Sequence, residues 1–465
     1  MIAETLIIDG CAIATVDDLD QEYASGHLVI RNGRIDVVGD GPAPAVDGAR
    51  RVGGSGCLAT PGLINVHHHL YQWITRGYAQ DGTLFEWLTA LYPVWRHLDT
   101  DLEYHAARAA LASLALSGCT TTTDHHYLFP RDGGDVFAAE VEAARQIGLR
   151  FHPGRGSMDL GQSRGGLPPD DVVEDRDEIL AACEHAVATY HDPAPDSMLR
   201  VALAPCSPFS VTGDLLRESA DLARRLGVRL HTHLAETVDE AEFCLGKFGC
   251  GPVDYVEQMG WLGDDVWLAH CVHLSSSDIA KFAASGTAVA HCPSSNGRLG
   301  SGIAAIPELL ASGVPVGLGV DGVASNEHGG LADELRQAVL VARCRKGPKA
   351  LTVRQALRVG TMGGARCLGR QDEIGSLQAG KLADIALWRI DDLGHADIAD
   401  PVCAIVLGPP ATLQLLLVSG SVVVEAGEMR TADSESLARH ARDSAGELAR
   451  RPGCPPPVNL LGGFR

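Results

Sequence analysis

What the sequence lacks narrows its function before any motif is read. No apolar run reaches the roughly 18 residues needed to cross a bilayer, and the opening MIAETLIIDGCAIATVDD has no basic n-region of a secretory leader. Basic residues are scarce: 38 Lys and Arg stand against 59 Asp and Glu, a formal charge of −21. Such a surface repels phosphate backbones and anionic lipid, which argues against nucleic-acid and membrane partners. Thirteen cysteines are scattered, odd in number and without a C-x-x-C pair. Neither a disulfide scaffold nor a Cys-based zinc module is therefore expected, whereas reduced thiols in the cytoplasm are. Low-complexity segments and short-period repeats are missing. With 45% hydrophobic and 21% charged residues the chain reads as an ordinary globule.

At both ends the pattern is β. Leu6–Ile8, His27–Arg31 and Arg34–Val38 read as short strands, with Asn32-Gly33 as a two-residue hairpin signal. Strand-like pieces return at Ala383–Arg389, Val402–Leu407, Leu413–Val418 and Val422–Glu425, with a turn at Ser419-Gly420-Ser421. The flanks 1–58 and 374–465 are thus expected to pack together as one discontinuous sheet domain around a central unit at 59–373.

In that centre a short apolar run, a polar cluster and a helical stretch recur eight times. The runs end at Asn65–His69, Asp124–His126, Phe151–Arg155, Ala204–Ser207, His231–Glu236, His270–His273, His291–Asn296 and Asp321–Asn326. Helical stretches such as Ala106–Leu116, Asp135–Ile147, Asp214–Leu226 and Gly330–Cys344 separate them. Eightfold strand–helix alternation predicts an α/β fold, a closed parallel (β/α)8 TIM-like barrel, whose chemistry lies at the C-terminal ends of the strands. Eleven of the 19 histidines fall at or just past those ends.

Their spacing points to a metal. Side chains two apart on a strand project to one side, so His67 and His69 can reach one ion while His68 turns into the wall. His231-x-His233 repeats the spacing, Glu236 follows three residues later, and Asp321 closes the eighth unit. Three imidazoles and a carboxylate suit zinc, or iron, with an open position for water. One H-x-H alone is weak; three such features in separate βα units are much stronger. Two other motifs match only in form. Gly317-x-Gly319-x-x-Gly322 has Ala342 where a dinucleotide site needs an acid, and Gly161-x-Ser163-x-Gly165 lies in a polar loop with no strand leading in. No H-E-x-x-H or complete Walker motif occurs, and Pro205-Cys206 continues as SPF rather than as P-C-x-x-C.

From ATPGLINVHHHL through GSLQAGKLADIALW to the closing strands, the chain resembles the amidohydrolase superfamily, in its one-metal branch that deaminates aromatic heterocycles. The resemblance implies a distorted barrel with a β-sandwich built from both termini. It also implies His67, His69, His233 and Asp321 as metal ligands, Glu236 as proton shuttle, and His270 as the partner of the attacking water. Two-metal members supply a Lys or Glu at the fourth strand end; VALAPCSPF has neither, which favours one divalent ion, zinc or iron. The stretches HHHLYQWITRG, DHHYLFP and RGSMDLGQSRGGLPPDDVVE are similar to those of deaminases of oxidised purines. The implied reaction is 8-oxoguanine and water to urate and ammonia; isoxanthopterin, guanine or an amino-triazine are alternative substrates, and a cyclic amide is a weaker one. Substrate contacts are expected from Gln72, with both donor and acceptor, and from Arg155, with its fork of donors. Cys206 and Asn296 are further candidates, and Trp73, Phe85 and Trp87 could stack on a flat ring. The partner expected is a small heterocycle, and the aromatic residues around Trp87–Trp95 suggest a homo-oligomer.

Overall fold

The computed structural model describes residues 5–454. Residues 1–4 and 455–465, the outermost parts of the two flanks, lie outside the described residues, as does the start of the stretch read for a leader.

Eight parallel strands close into a barrel: β1 (Leu63–Asn65), β2 (Cys119–His126), β3 (Arg150–Ser157), β4 (Ala202–Pro205), β5 (Leu230–Leu234), β6 (Val266–His270), β7 (Ala288–His291) and β8 (Val316–Leu318). Each coincides with one of the eight expected runs. Every strand residue is buried, as parallel strands covered on both faces require. Several of the helices between them begin at side-chain caps. Asp99 accepts from Leu102 N to start Thr100–Leu116, Asp135 starts Val136–Ile147, and Thr212 starts Gly213–Leu226. Gly148 and Gly227, in the left-handed region, end the last two.

Between β1 and β8 the barrel closes through a single pair, Leu318↔Asn65. Beyond it a second ladder forms, with Asp321 opposite His68 and Gly322 opposite His69. This ladder carries the histidine pair of the first unit to the aspartate of the last.

The terminal segments build one nine-stranded sheet. Cys57–Pro61 joins its halves, pairing in parallel with Thr5–Ala14 and antiparallel with Ile385–Arg389. Leu6, Ile8 and Ile30 from one half share a core with Leu387, Leu415 and Leu417 from the other, so the sheet folds over onto itself. Asn32 and Gly33 both take positive φ, as the hairpin signal requires, and their turn meets that of Ser419-Gly420: a Cβ on Gly33 would lie 2.7 Å from the Ser419 carbonyl oxygen.

Three features differ from the sequence reading. Val402–Leu407 is not a strand but part of a helix, Pro401–Leu407. Its β-branched residues are overridden by Asp400, which accepts from Val402 N and Cys403 N, and by Pro401 in the first helical position. The C-terminal flank also holds a helix, Ser434–Leu448, packed on the barrel helix Thr100–Leu116. The aromatic residues that suggested a subunit contact are internal: Trp87, Tyr92 and Trp95 are all buried. No helix of the described residues is long and apolar enough to cross a membrane.

Candidate metal centre and its cavity

His67, His69, His233 and Asp321 converge at the C-terminal mouth of the barrel. Asp321 Oδ1 is 3.2 Å from both His67 Nε2 and His69 Nε2, and the Nε2 atoms of His69 and His233 are 3.1 Å apart. All four side chains are nine-tenths or more buried.

The hydrogen bonds behind them fix which nitrogen faces inward. His69 Nδ1 donates to the His125 carbonyl at 2.7 Å, and His233 Nδ1 donates to the Cys206 carbonyl at 2.7 Å. His67 Nδ1 lies 2.8 Å from Nε2 of His231, whose own Nδ1 donates to the Trp267 carbonyl at 2.8 Å. A carbonyl oxygen only accepts, so His231 holds its proton on Nδ1 and takes the proton of His67 on Nε2. Burial drives the imidazoles of His67 and His233 well below their usual basicity, keeping them neutral. Three Nε2 lone pairs therefore face one another and a carboxylate, and His67 Nε2 has no hydrogen-bond partner. Acceptors so gathered require a cation between them. Imidazole nitrogens with one carboxylate are a divalent-metal donor set, and their Nδ1 bonds are the outer partners such ligands need.

Backbone strain aims the remaining groups. Ala235, His270, Cys271 and Asp321 all take positive φ at or just beyond the ends of β5, β6 and β8. Such residues cost on the order of 1–3 kcal/mol each and are held only where the surroundings over-determine them. At β5 that support is Glu240, whose carboxylate accepts Ala235 N at 2.9 Å and Glu236 N at 2.8 Å. Glu236 is thereby turned into the mouth, with Oε2 3.6 Å from His270 Nε2 and Oε1 accepting from Ser301 Oγ at 3.3 Å. Burial raises the Glu236 carboxyl above its ordinary range, which favours the acid form. His270 donates from Nδ1 to Asn296 Oδ1 at 2.9 Å. Burial pulls its basicity down, but the Glu236 and Asp321 carboxylates outweigh that and leave it raised. Asp321 Oδ2 in turn accepts from Ser295 Oγ at 2.6 Å.

A narrow cavity of about 30 Å³ opens over this cluster. Gln72, Trp87, Tyr127, Cys206 and Phe209 line it, beside Glu236 and His270. Gln72 Oε1 is buried without a partner. It comes this close only because position 322 is glycine, since a Cβ there would stand 1.8 Å from that oxygen. The Cys206 thiol is pushed up to about 12 by burial and stays protonated, a neutral wall rather than a nucleophile.

Not every candidate reaches the cavity. Arg155 lies on β3 with its guanidinium held by the Glu174 carboxylate at 2.7 and 3.1 Å and laid over Phe129. It is not among the residues lining the cavity, and its charge is already matched. Asn296 serves His270 rather than the open space. Phe85 packs against Phe209, and Trp73 lies under Arg76, away from the cavity. Tyr127 and Phe209 were not anticipated. Tyr127 directly follows the His125-His126 pair at the end of β2, which was the available signal.

Residues 58–423 match the family model described as "Amidohydrolase family". The 8-oxoguanine deaminase of Pseudomonas aeruginosa is 44% identical over 96% of this chain and 99% of its own length. An isoxanthopterin deaminase of an unknown prokaryotic organism is 38% identical over 96% and 97%. Among solved structures, atrazine chlorohydrolase from Arthrobacter aurescens TC1 complexed with zinc superposes with a TM-score of 0.89 at 34% identity, covering 95% of this chain and all of that one. The family model spans most of the chain and these relatives are matched along nearly their whole length, so the chain belongs to the amidohydrolase family.

Proposed function

We propose that this protein is a metal-dependent aminohydrolase that converts 8-oxoguanine and water to urate and ammonia. The observation that carries the reading is the set of three inward Nε2 lone pairs with Asp321, facing a cavity that Glu236 borders. The substrate rests on the 44% identical deaminase, matched along nearly its whole length. Zinc is the proposed ion, supported by the donor set and by the zinc-complexed relative. The end of β4 carries no Lys or Glu that could bridge a second ion in the same mouth. Thirteen cysteines without a disulfide support a reducing compartment, the cytoplasm.

A divalent ion held by His67, His69, His233 and Asp321 would supply Lewis acidity, bringing the pKa of water down toward neutrality. The protein's own groups then divide the proton transfers. Asp321 takes a proton from the attacking water, and His270, fixed by Asn296, orients that water. Glu236 in its acid form protonates the ring nitrogen beside the amino-bearing carbon, which makes that carbon electrophilic. After water adds, the now ionised Glu236 takes the proton of the new hydroxyl as the carbonyl forms and passes it to the departing amine, which leaves as ammonia; the proton on Asp321 then restores the acid form of Glu236. Gln72 and the neutral Cys206 face the heterocycle from the cavity wall.

Isoxanthopterin is the second reading, favoured by the 38% identical deaminase. Ammonia release from 8-oxoguanine, isoxanthopterin, guanine, an amino-triazine and a cyclic amide decides between them. Fastest release from 8-oxoguanine is expected, and rapid release from isoxanthopterin with none from 8-oxoguanine would overturn the assignment.

A further inference from the structure

Behind the catalytic mouth lies a second cluster that the proposed reaction does not use. Side chains alternate along β2: His125 faces inward and stacks on His233, with ring centroids 4.5 Å apart. Asp124 and His126 therefore face outward, toward the helices Thr100–Leu116 and Val136–Ile147. Those helices return Glu103 and Glu140 to the same spot. Glu103, His126 and Glu140 place one ligand atom each within 4.8 Å of one another, and Asp124 faces Glu140 within hydrogen-bonding range.

All four side chains are at most 1% exposed. Both oxygens of Glu103 and His126 Nδ1 have no hydrogen-bond partner, and Glu140 and Asp124 Oδ2 find none but each other, through a proton shared between the two acids. Among the described residues, no Lys or Arg forms an ion pair with Glu103, Asp124 or Glu140. His126 is the independent witness. Its Nε2 donates to the Leu128 carbonyl at 2.7 Å, which leaves Nδ1 as a lone pair aimed at the carboxylates. Burial lowers this imidazole to about 3, so the ring is neutral. Its Nδ1 lies 3.7 Å from Glu103 Oε2 and 3.9 Å from Asp124 Oδ2. Those separations are too long for hydrogen bonds, yet a slight contraction brings them to the roughly 3.0–3.6 Å between neighbouring ligands on an ion bound at about 2.1 Å.

We propose that Glu103, His126 and Glu140, with Asp124 beside them, form a second, structural cation site that takes one divalent ion. Carboxylates with a single imidazole match Mn²⁺ or Zn²⁺, and the ion would neutralise three acids that the interior leaves without cationic partners. The site is tied to the catalytic one through the backbone. Asp124 Oδ1 accepts Leu70 N at 2.6 Å, one residue past His69, and the carbonyl of neighbouring His125 holds His69 itself.

The test is metal content of the full-length protein, produced in Mn²⁺-supplemented medium, desalted and analysed by mass spectrometry. Two equivalents per chain are expected in the wild type. One should remain in a His67→Ala/His69→Ala variant, and one in a Glu103→Gln/Glu140→Gln variant. A single equivalent in the wild type that vanishes in the His67→Ala/His69→Ala variant would overturn the proposal and leave the cluster to shared protons. Should the Glu103→Gln/Glu140→Gln protein fail to fold, anomalous scattering from wild-type crystals grown with Mn²⁺ decides. A peak between Glu103, His126 and Glu140 supports the site, and its absence beside an occupied catalytic centre refutes it.

Discussion

At Glu236 a single carboxyl is placed to deliver a proton first to a ring and then to a leaving amine. General acid–base help of this kind contributes about 10²–10⁴-fold. Glu236→Gln should therefore lower kcat by at least that range while metal content, read by mass spectrometry, stays at the wild-type level; a variant with near wild-type turnover would remove this role. His231 acts one step further back, as the acceptor that fixes the tautomer of His67. Replacing it as His231→Phe should weaken catalytic metal binding about 10–100-fold, measured by chelator competition. The convergence of His67 and His69 was legible because H-x-H on a strand forces two imidazoles onto one side. Arg155 was not, because its fate is decided by Glu174, 19 residues away, and spacing does not reveal which charge a distant carboxylate will neutralise. His231 lay equally beyond the sequence: its spacing to His233 repeats that of His67 and His69, and only the carbonyl behind it separates a supporting imidazole from a ligand.

Secondary-structure elements were legible wherever periodicity and local capping agreed. The barrel strands were legible from the eightfold recurrence of a short run, a polar cluster and a helical stretch, even where, as in CTTTTDHH of β2, the run itself is not apolar. At Val402–Leu407 periodicity and capping disagreed: β-branched residues gave a strand pattern, while Asp400 and Pro401 gave a helix start, and the cap prevailed because the helix also buries Val402, Ile405 and Val406 against neighbouring helices. Asp400→Ala, which removes two cap bonds, should destabilise the protein by about 1 kcal/mol in urea titration without altering activity. An unchanged midpoint would show that packing alone holds this helix. The helix Ser434–Leu448 escaped notice for a different reason. Its apolar stripe is thin, with Leu437, Ala441 and Leu448 facing the barrel, and only the tertiary partner shows that it is a packed element.

Across the whole molecule, the barrel and the terminal sheet are locked by one buried cation. Arg150, fully buried at the start of β3, donates to both Asp384 oxygens at 3.1 and 3.3 Å, to the Ser197 carbonyl at 2.6 Å and to Ser419 Oγ at 2.7 Å. Arg150→Met would leave the Asp384 carboxylate buried and uncompensated, a loss of about 3–5 kcal/mol. Thermal unfolding should show a clearly lowered Tm; a shift within error would mean that the sheet docks by apolar contact alone. The strand Cys57–Pro61 has a consequence of its own during synthesis. It leaves the ribosome more than 300 residues ahead of Ile385–Arg389, its neighbour in the sheet. Throughout that interval one of its edges is an open row of peptide groups, ready to recruit a strand from another nascent chain. Ribosome stalling or premature termination before residue 385 is the event against which this architecture has least protection.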